Sequence, residues 1–264
     1  MALIFHIRLE NVSLYQAWLR AAYSQPGAKG LYRVKVDPAP REGMVIDEVL
    51  IFEYPLPEAA MSFMSALGPD LQSACRELNV LAILPEPAAT FVMVRFVSWL
   101  VRFFKGCQDQ GEPGNSWKAD DTAVWPDQHQ MEVAREQNAD ESLYVFNLNK
   151  YRSVARYENN GSLKKQVSGQ KAYDLYARAA GFELLRRGAF PVYGGKPLCF
   201  LVGGEEGVLA DRWDKFIFVR YPRRRDLFYI IESDEFHRGE CHRDAGLERS
   251  VVLMASGAQI DKSA

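Results

Sequence analysis

Two stretches of this chain repeat earlier ones in the same order, and that repetition restricts the fold more than any other feature. LYQAWLRAA at 14–22 matches AYDLYARAA at 172–180, setting Tyr15 on Tyr173, Trp18 on Tyr176, Arg20 on Arg178 and Ala21-Ala22 on Ala179-Ala180. The same offset sets Gly30 on Gly188 and Val34 on Val192. Further on, EVLIFEYP at 48–55 matches KFIFVRYP at 215–222, and continuing that alignment brings Arg76 onto Arg243. The second copy is longer between the two blocks, where the glycine-rich GGKPLCFLVGGEEGVLAD reads as a hairpin or flap. Helix matching helix and strand matching strand, in one order, reads as a tandem duplication.

Each copy spells strand, helix, strand, strand, helix, strand. Residues 3–9 alternate as a strand, and Tyr15, Trp18, Leu19 and Ala22 fall at helical spacing. Two β-branched and aromatic strands follow at 32–36 and 45–54; Pro57 opens a helix at a position proline tolerates, and 80–84 closes the copy. In the second copy the corresponding elements are 143–148, 173–187, 189–193, 215–221, a helical region over 223–245, and 250–254. This is the split βαβ order, an antiparallel four-stranded sheet with both helices on one face. The bare face needs a cover, and two such sheets packed together supply it. The expected fold is therefore α+β, two ferredoxin-like βαββαβ modules at 1–87 and 141–258 packed sheet to sheet as a single-chain pseudo-dimeric α/β barrel.

Between them, 88–140 forms a connecting segment. FVMVRFVSWLVRFFKG carries Arg95, Arg102 and Lys105 among apolar residues, and CQDQGEPGNSWKADD is loop-like. The first part reads as a helix or strand packed over the barrel, the alternative being an amphipathic helix resting on a membrane or a partner. A short helix is expected over 126–137.

At 264 residues, 48% hydrophobic and 25% charged, the chain has ordinary globular usage. With 32 basic and 34 acidic residues the net charge is -2, which gives no general attraction to nucleic acid. Arg95 and Arg102 interrupt the most apolar stretch, so no transmembrane segment is expected. Cys75, Cys107, Cys199 and Cys241 show no paired spacing and no leader-like segment is read, which points to the cytoplasm.

The string NLNKYRSVARYENNG, then VSGQKAYDLYARAAG, RRGAFPVYGG, KFIFVRYP and SDEFHRGECHR resembles the domain-of-unknown-function 1330 family, a branch of the dimeric α/β-barrel superfamily. The matching residues are Asn147, Lys150, Tyr151, Ser168, Gly169, Tyr173, Gly188, Tyr221, Pro222, Ser233, Phe236 and Arg243, over about 142–255. Tyr221 stands where the family usually has phenylalanine, and Phe236 where it usually has tyrosine. The first copy keeps Tyr54-Pro55 and Arg76 but lacks the Asn-Leu-x-Lys and Ser-Gly strings. The resemblance implies a fold and a pocket without an assigned reaction. Its wider superfamily includes cofactor-free monooxygenases, small-lactone isomerases and haem enzymes.

Strand alternation nominates side chains for the barrel interior. His6 and Arg8 share a face, Arg8 aligns with Asn147, and Glu53 aligns with Arg220. Arg8, Glu53, Asn147 and Arg220, with Lys150 and Arg243 from the resemblance, are the candidate substrate-binding residues; mutual pairing of these charges where sheets meet is the alternative. His237 is the candidate general base. With Cys241 and His242 it suggests a metal site at first, but nothing else in the sequence completes one, so no metal is expected. GAKG and YGGK are turns rather than phosphate loops. No nucleophile elbow or Ser/His/Asp pattern appears. The expected function is small-molecule binding without a cofactor, as an enzyme of proton transfer, isomerisation or oxygenation on a small acid or aromatic compound. A non-catalytic ligand-binding or scaffold protein is the alternative. The pseudo-dimer is expected within one chain, and further homo-oligomerisation stays open.

Overall fold

The computed structural model describes residues 1–38, 44–105, 117, 123–157 and 167–259. Among them the protein is α+β, with seven helices and eight strands that pair antiparallel. The described residues divide into two compact units, one drawn from 1–85, 195–212 and 255–259, the other from 86–194 and 213–254.

The first unit runs β1 (Ala2–Leu9), α1 (Val12–Tyr23), β2 (Lys29–Val36), β3 (Glu48–Glu53), α2 (Pro57–Ala74) and β4 (Cys75–Pro85). Asn11 starts α1 by accepting the Leu14 N–H on Oδ1 at 3.1 Å, and Pro57 opens α2 where a missing N–H matters least. Leu3, Phe5 and Ile7 of β1 and Leu50 and Phe52 of β3 face Trp18, Leu19, Phe63 and Leu71 of the two helices, forming one buried core. The Trp18 indole N–H, buried there, donates to the Leu67 carbonyl at 2.9 Å.

The glycine-rich stretch, read as a hairpin or flap, begins as strand. Residues 195–202 are strand and pair with β4, from Gly195 opposite Pro85 to Val202 opposite Val80. Glycine permits this close approach, since a Cβ at Gly195 would lie 2.3 Å from the Leu84 carbonyl oxygen. The turn falls later, at Gly203 and Gly204, which adopt positive φ of 64° and 74° and accept capping by Asn79 Oδ1 on the Gly204 N–H at 2.9 Å. The last strand likewise runs beyond its expected end, residues 255–259 pairing with β2.

His6 is 1% exposed on the opposite face of β1 from Phe5. Burial pushes its imidazole down from 6.5 to about 4, a backbone hydrogen bond with Asn79 offsetting part of the shift. The folded protein therefore holds His6 neutral where the unfolded chain protonates it. Stability is full above pH 6.5 and falls as pH drops toward 4, by ~3 kcal/mol if the shift is expressed completely. Urea unfolding at pH 7 and at pH 4.5 should show that loss in the native sequence and a much smaller one in His6→Gln. Equal slopes in the two proteins would dismiss His6 as the source.

The second unit holds α3 (Ala88–Lys105), α4 (Gln128–Glu136), β5 (Leu143–Tyr151), α5 (Gly169–Arg186), the start of β6 (Phe190–Val202), β7 (Lys215–Tyr221), α6 (Arg224–Ile231), α7 (Asp234–Gly246) and most of β8 (Leu247–Gln259). Its strands lie in the order β8-β5-β7-β6. The helical region expected over 223–245 is two helices because of Ser233. Its hydroxyl donates to the Ile230 carbonyl at 2.7 Å, closing α6, and accepts the Phe236 N–H at 3.2 Å, opening α7. The start of α5 and the end of α7 touch through Gly169 and Gly246; a Cβ on Gly169 would come within 2.3 Å of the Gly246 carbonyl oxygen. The loop-like stretch at 107–121 lies outside the described residues apart from Trp117.

Candidate functional site: a buried arginine in an aromatic cavity

Alternation along β5 and β7 decides what the helices of the second unit cover. Val145, Val219 and Tyr221 join the helix-facing core, whereas Tyr144 and Phe146 turn to the other face and meet Phe218 and Phe216 at ring-centroid distances of 5.3 and 4.8 Å. The helix-facing side is not filled. A cavity of about 330 Å³ remains, floored by the sheet and walled mainly by α5, with α3, α4, α6, α7 and the segment around Trp125 completing it.

Its lining is largely apolar and aromatic, with Arg243 the only charged side chain among the lining residues. Arg243 projects from α7 and is 3% exposed. One terminal nitrogen donates to the Val124 carbonyl at 2.8 Å and reaches the Ser250 hydroxyl at 3.5 Å. Ser250 in turn donates to Asn149 Oδ1 at 2.8 Å. The guanidinium carbon lies 4.4 Å from the Trp125 ring centre and 5.4 Å from that of Tyr176, a cation held between π faces. Its Nε has no hydrogen-bond partner among the described residues, and no carboxylate there forms an ion pair with it. An arginine stays charged in a protein, and a buried charge normally has an opposite partner.

Trp125 is fixed for this role by its indole N–H, which donates to Asp244 Oδ1 at 2.6 Å, by edge contacts with Trp117 and Tyr176, and by a tilted contact with Phe236. Burial pushes the Tyr176 hydroxyl up to about 12 despite the opposing pull of Arg243, and pushes Tyr221 upward as well. Both phenols are therefore held protonated at ordinary pH, and neither is poised as a base. Asn147, half-buried on β5, adds a second polar handle; among the described residues its side-chain amide makes only a long 3.4 Å contact to the Val145 carbonyl.

The register disperses most of the residues nominated for an interior site. Asn147 stands opposite Ile217 and lines the cavity, whereas Arg220 stands opposite Tyr144 on the reverse face of the same sheet. These two therefore do not converge. In the first unit Glu53 pairs with Ala2 at one end of β1 while Arg8 pairs with Glu77 at the other, six residues away and about 20 Å along the strand. Lys150 forms an ion pair with Glu248 at 3.1 Å. His237 lies exposed on α7 beside Glu240, at 3.1 Å, and does not line the cavity. Arg243 and Asn147 are the nominated residues that the cavity brings together. Among the described residues no group of three or more His, Cys, Asp or Glu side chains could hold a metal ion.

No family model matches the chain, and no curated protein does. Solved structures resemble it in backbone. A protein of unknown function from Rhodopseudomonas palustris is 21% identical over 51% of this chain and 96% of its own, with a TM-score of 0.45. An anthrone oxidase-like protein is 7% identical, covering 97% of this chain and 90% of its own at a TM-score of 0.45. A mutant chlorite dismutase from Candidatus Nitrospira defluvii is 9% identical, with coverage of 97% and 90% and a TM-score of 0.43. Likeness at this level does not tell what this chain binds or catalyses.

Proposed function

We propose that this protein, a tandem duplication of one βαββαβ module of the dimeric α/β-barrel type, binds a small, largely aromatic compound bearing an acidic oxygen. The ligand occupies the cavity of the second unit with that oxygen against Arg243. The buried guanidinium of Arg243 within aromatic walls, with no carboxylate paired to it among the described residues, carries this reading. Its size also fits, since small-molecule sites start at about 300 Å³ and combine apolar walls with a few placed polar groups. Arg243 supplies the charge-assisted hydrogen bond, Asn147 a neutral one, and the ring faces of Trp125 and Tyr176 the stacking surface.

The described lining holds no carboxylate and no histidine, which favours binding over proton transfer by a side-chain base. Arg243 would still stabilise negative charge on a ligand oxygen, the condition for oxygenation of an ionised aromatic compound.

Titration calorimetry with an aromatic carboxylic acid and with its primary amide tests the proposal. The acid should bind about 10- to 100-fold more tightly, the range of a charge-assisted hydrogen bond worth ~1.5–3 kcal/mol. Equal affinities would remove Arg243 as the anchor.

A further inference from the structure

Helix α3 meets the rest of the second unit along one side only. Ser98 donates to the Leu185 carbonyl at 2.9 Å, Phe91 stacks on Tyr193 at 6.1 Å, and Val94 lines the cavity. The other side carries Val92, Phe96, Trp99 and Phe103, spaced four, three and four apart so that they form one stripe. All four are exposed, Val92 at 68% and Phe103 at 71%, and Phe104 beside them reaches 74%. Phe96, Trp99 and Phe103 stack on one another at about 5.8 and 5.9 Å, a continuous aromatic surface in water. Isolated exposed apolar residues are ordinary, but a contiguous helix face of this composition marks an interaction site.

Charge selects its occupant. Arg95 and Arg102, seven residues apart, run along one margin of the stripe, and Lys105 follows at the helix end; α3 contains no acidic residue. A second copy of this face would bring these cations together, and nothing on α3 would neutralise them. Aromatic residues directed outward with cations at their border match what a helix lying in the plane of an anionic membrane requires: rings between the acyl chains and headgroups, and ammonium and guanidinium groups at the phosphates. No helix among the described residues is long and apolar enough to cross a membrane, so the fit is to lying on it.

We infer that the exposed face of α3 docks this protein on an anionic lipid surface. The inference is independent of what the cavity binds. Co-sedimentation of the full chain with phosphatidylcholine vesicles, alone and mixed with phosphatidylserine, tests it directly. Binding to the mixed vesicles, absent with phosphatidylcholine alone and weakened by salt, is expected. Each cation near such a surface contributes about fivefold in affinity, so Arg95→Gln/Arg102→Gln/Lys105→Gln should bind roughly 100-fold more weakly. Phe96→Ser/Phe103→Ser should also release the protein. These positions are solvent-exposed, and far-ultraviolet circular dichroism of both variants checks that they remain folded. Equal binding to neutral vesicles would overturn the proposal. So would absence of binding to either kind, whether the protein is monomeric or forms an oligomer that Phe96→Ser/Phe103→Ser dissolves; the latter result would assign the face to self-association.

Discussion

Replacing Arg243 with methionine will lower affinity for an aromatic acid about 10- to 100-fold and leave affinity for the corresponding amide nearly unchanged. The asymmetry follows from the site. Methionine keeps an unbranched apolar stem against Trp125 and Tyr176 but offers nothing to an anionic oxygen. The change also deprives the buried Val124 carbonyl of its donor, so a loss of ~1–3 kcal/mol in stability is expected alongside. Asn147→Ala separates the two effects. It removes a neutral hydrogen-bonding group that makes one long contact among the described residues, and it should weaken acid and amide alike, by about 10-fold or less. Calorimetry on the three proteins decides the matter: a Met variant that binds acid and amide with unchanged relative affinity ends the role assigned to the guanidinium.

The largest loss of stability is expected from Asp226→Ala. Asp226 is 1% exposed at the start of α6, where one carboxylate oxygen accepts the Arg223 backbone N–H at 3.0 Å and the other the Arg223 guanidinium at 2.6 Å. Arg187 approaches within 4.0 Å and is itself held by Glu183. Removing the carboxylate strips the first turn of its cap and leaves buried positive charge with one counter-ion fewer, a loss of ~3–5 kcal/mol. Asp226→Asn keeps an acceptor for the backbone N–H and should lose less. Chemical denaturation of both variants gives the comparison, and a native-like midpoint for the alanine protein would refute it.

Much of this arrangement was legible in residue order. The strand-helix-strand-strand-helix-strand series followed from helical spacing in α1, which buries one face, and from the short apolar and aromatic runs of β1 and β5, which are buried on both faces. The aromatic pair at Tyr173 and Tyr176 was visible in the repeat. Which face of the sheet keeps empty space was not. Alternation tells that Asn147 and Phe146 point apart, but only packed volumes tell that the helices over Asn147 leave a cavity. That is why Arg220, on the reverse face, looked as suitable as Asn147. Trp125 escaped because it lies in a connecting segment without periodicity. The signal available was local: Trp125-Pro126 precedes Asp127, whose carboxylate caps α4 through the Gln130 N–H at 2.8 Å, so the tryptophan sits just before a defined helix start.

The placement of the five tryptophans gives the protein its own optical read-out. Trp117 and Trp125 line the cavity, Trp99 lies on the open face of α3, and Trp18 and Trp213 are buried. A water-soluble quencher reaches Trp99 first, so loss of that quenching reports coverage of α3. An aromatic ligand stacked on Trp125 perturbs emission from the two cavity indoles instead. With Trp99→Phe to silence the outer signal, occupancy within and contact at the surface become separately measurable in unlabelled protein.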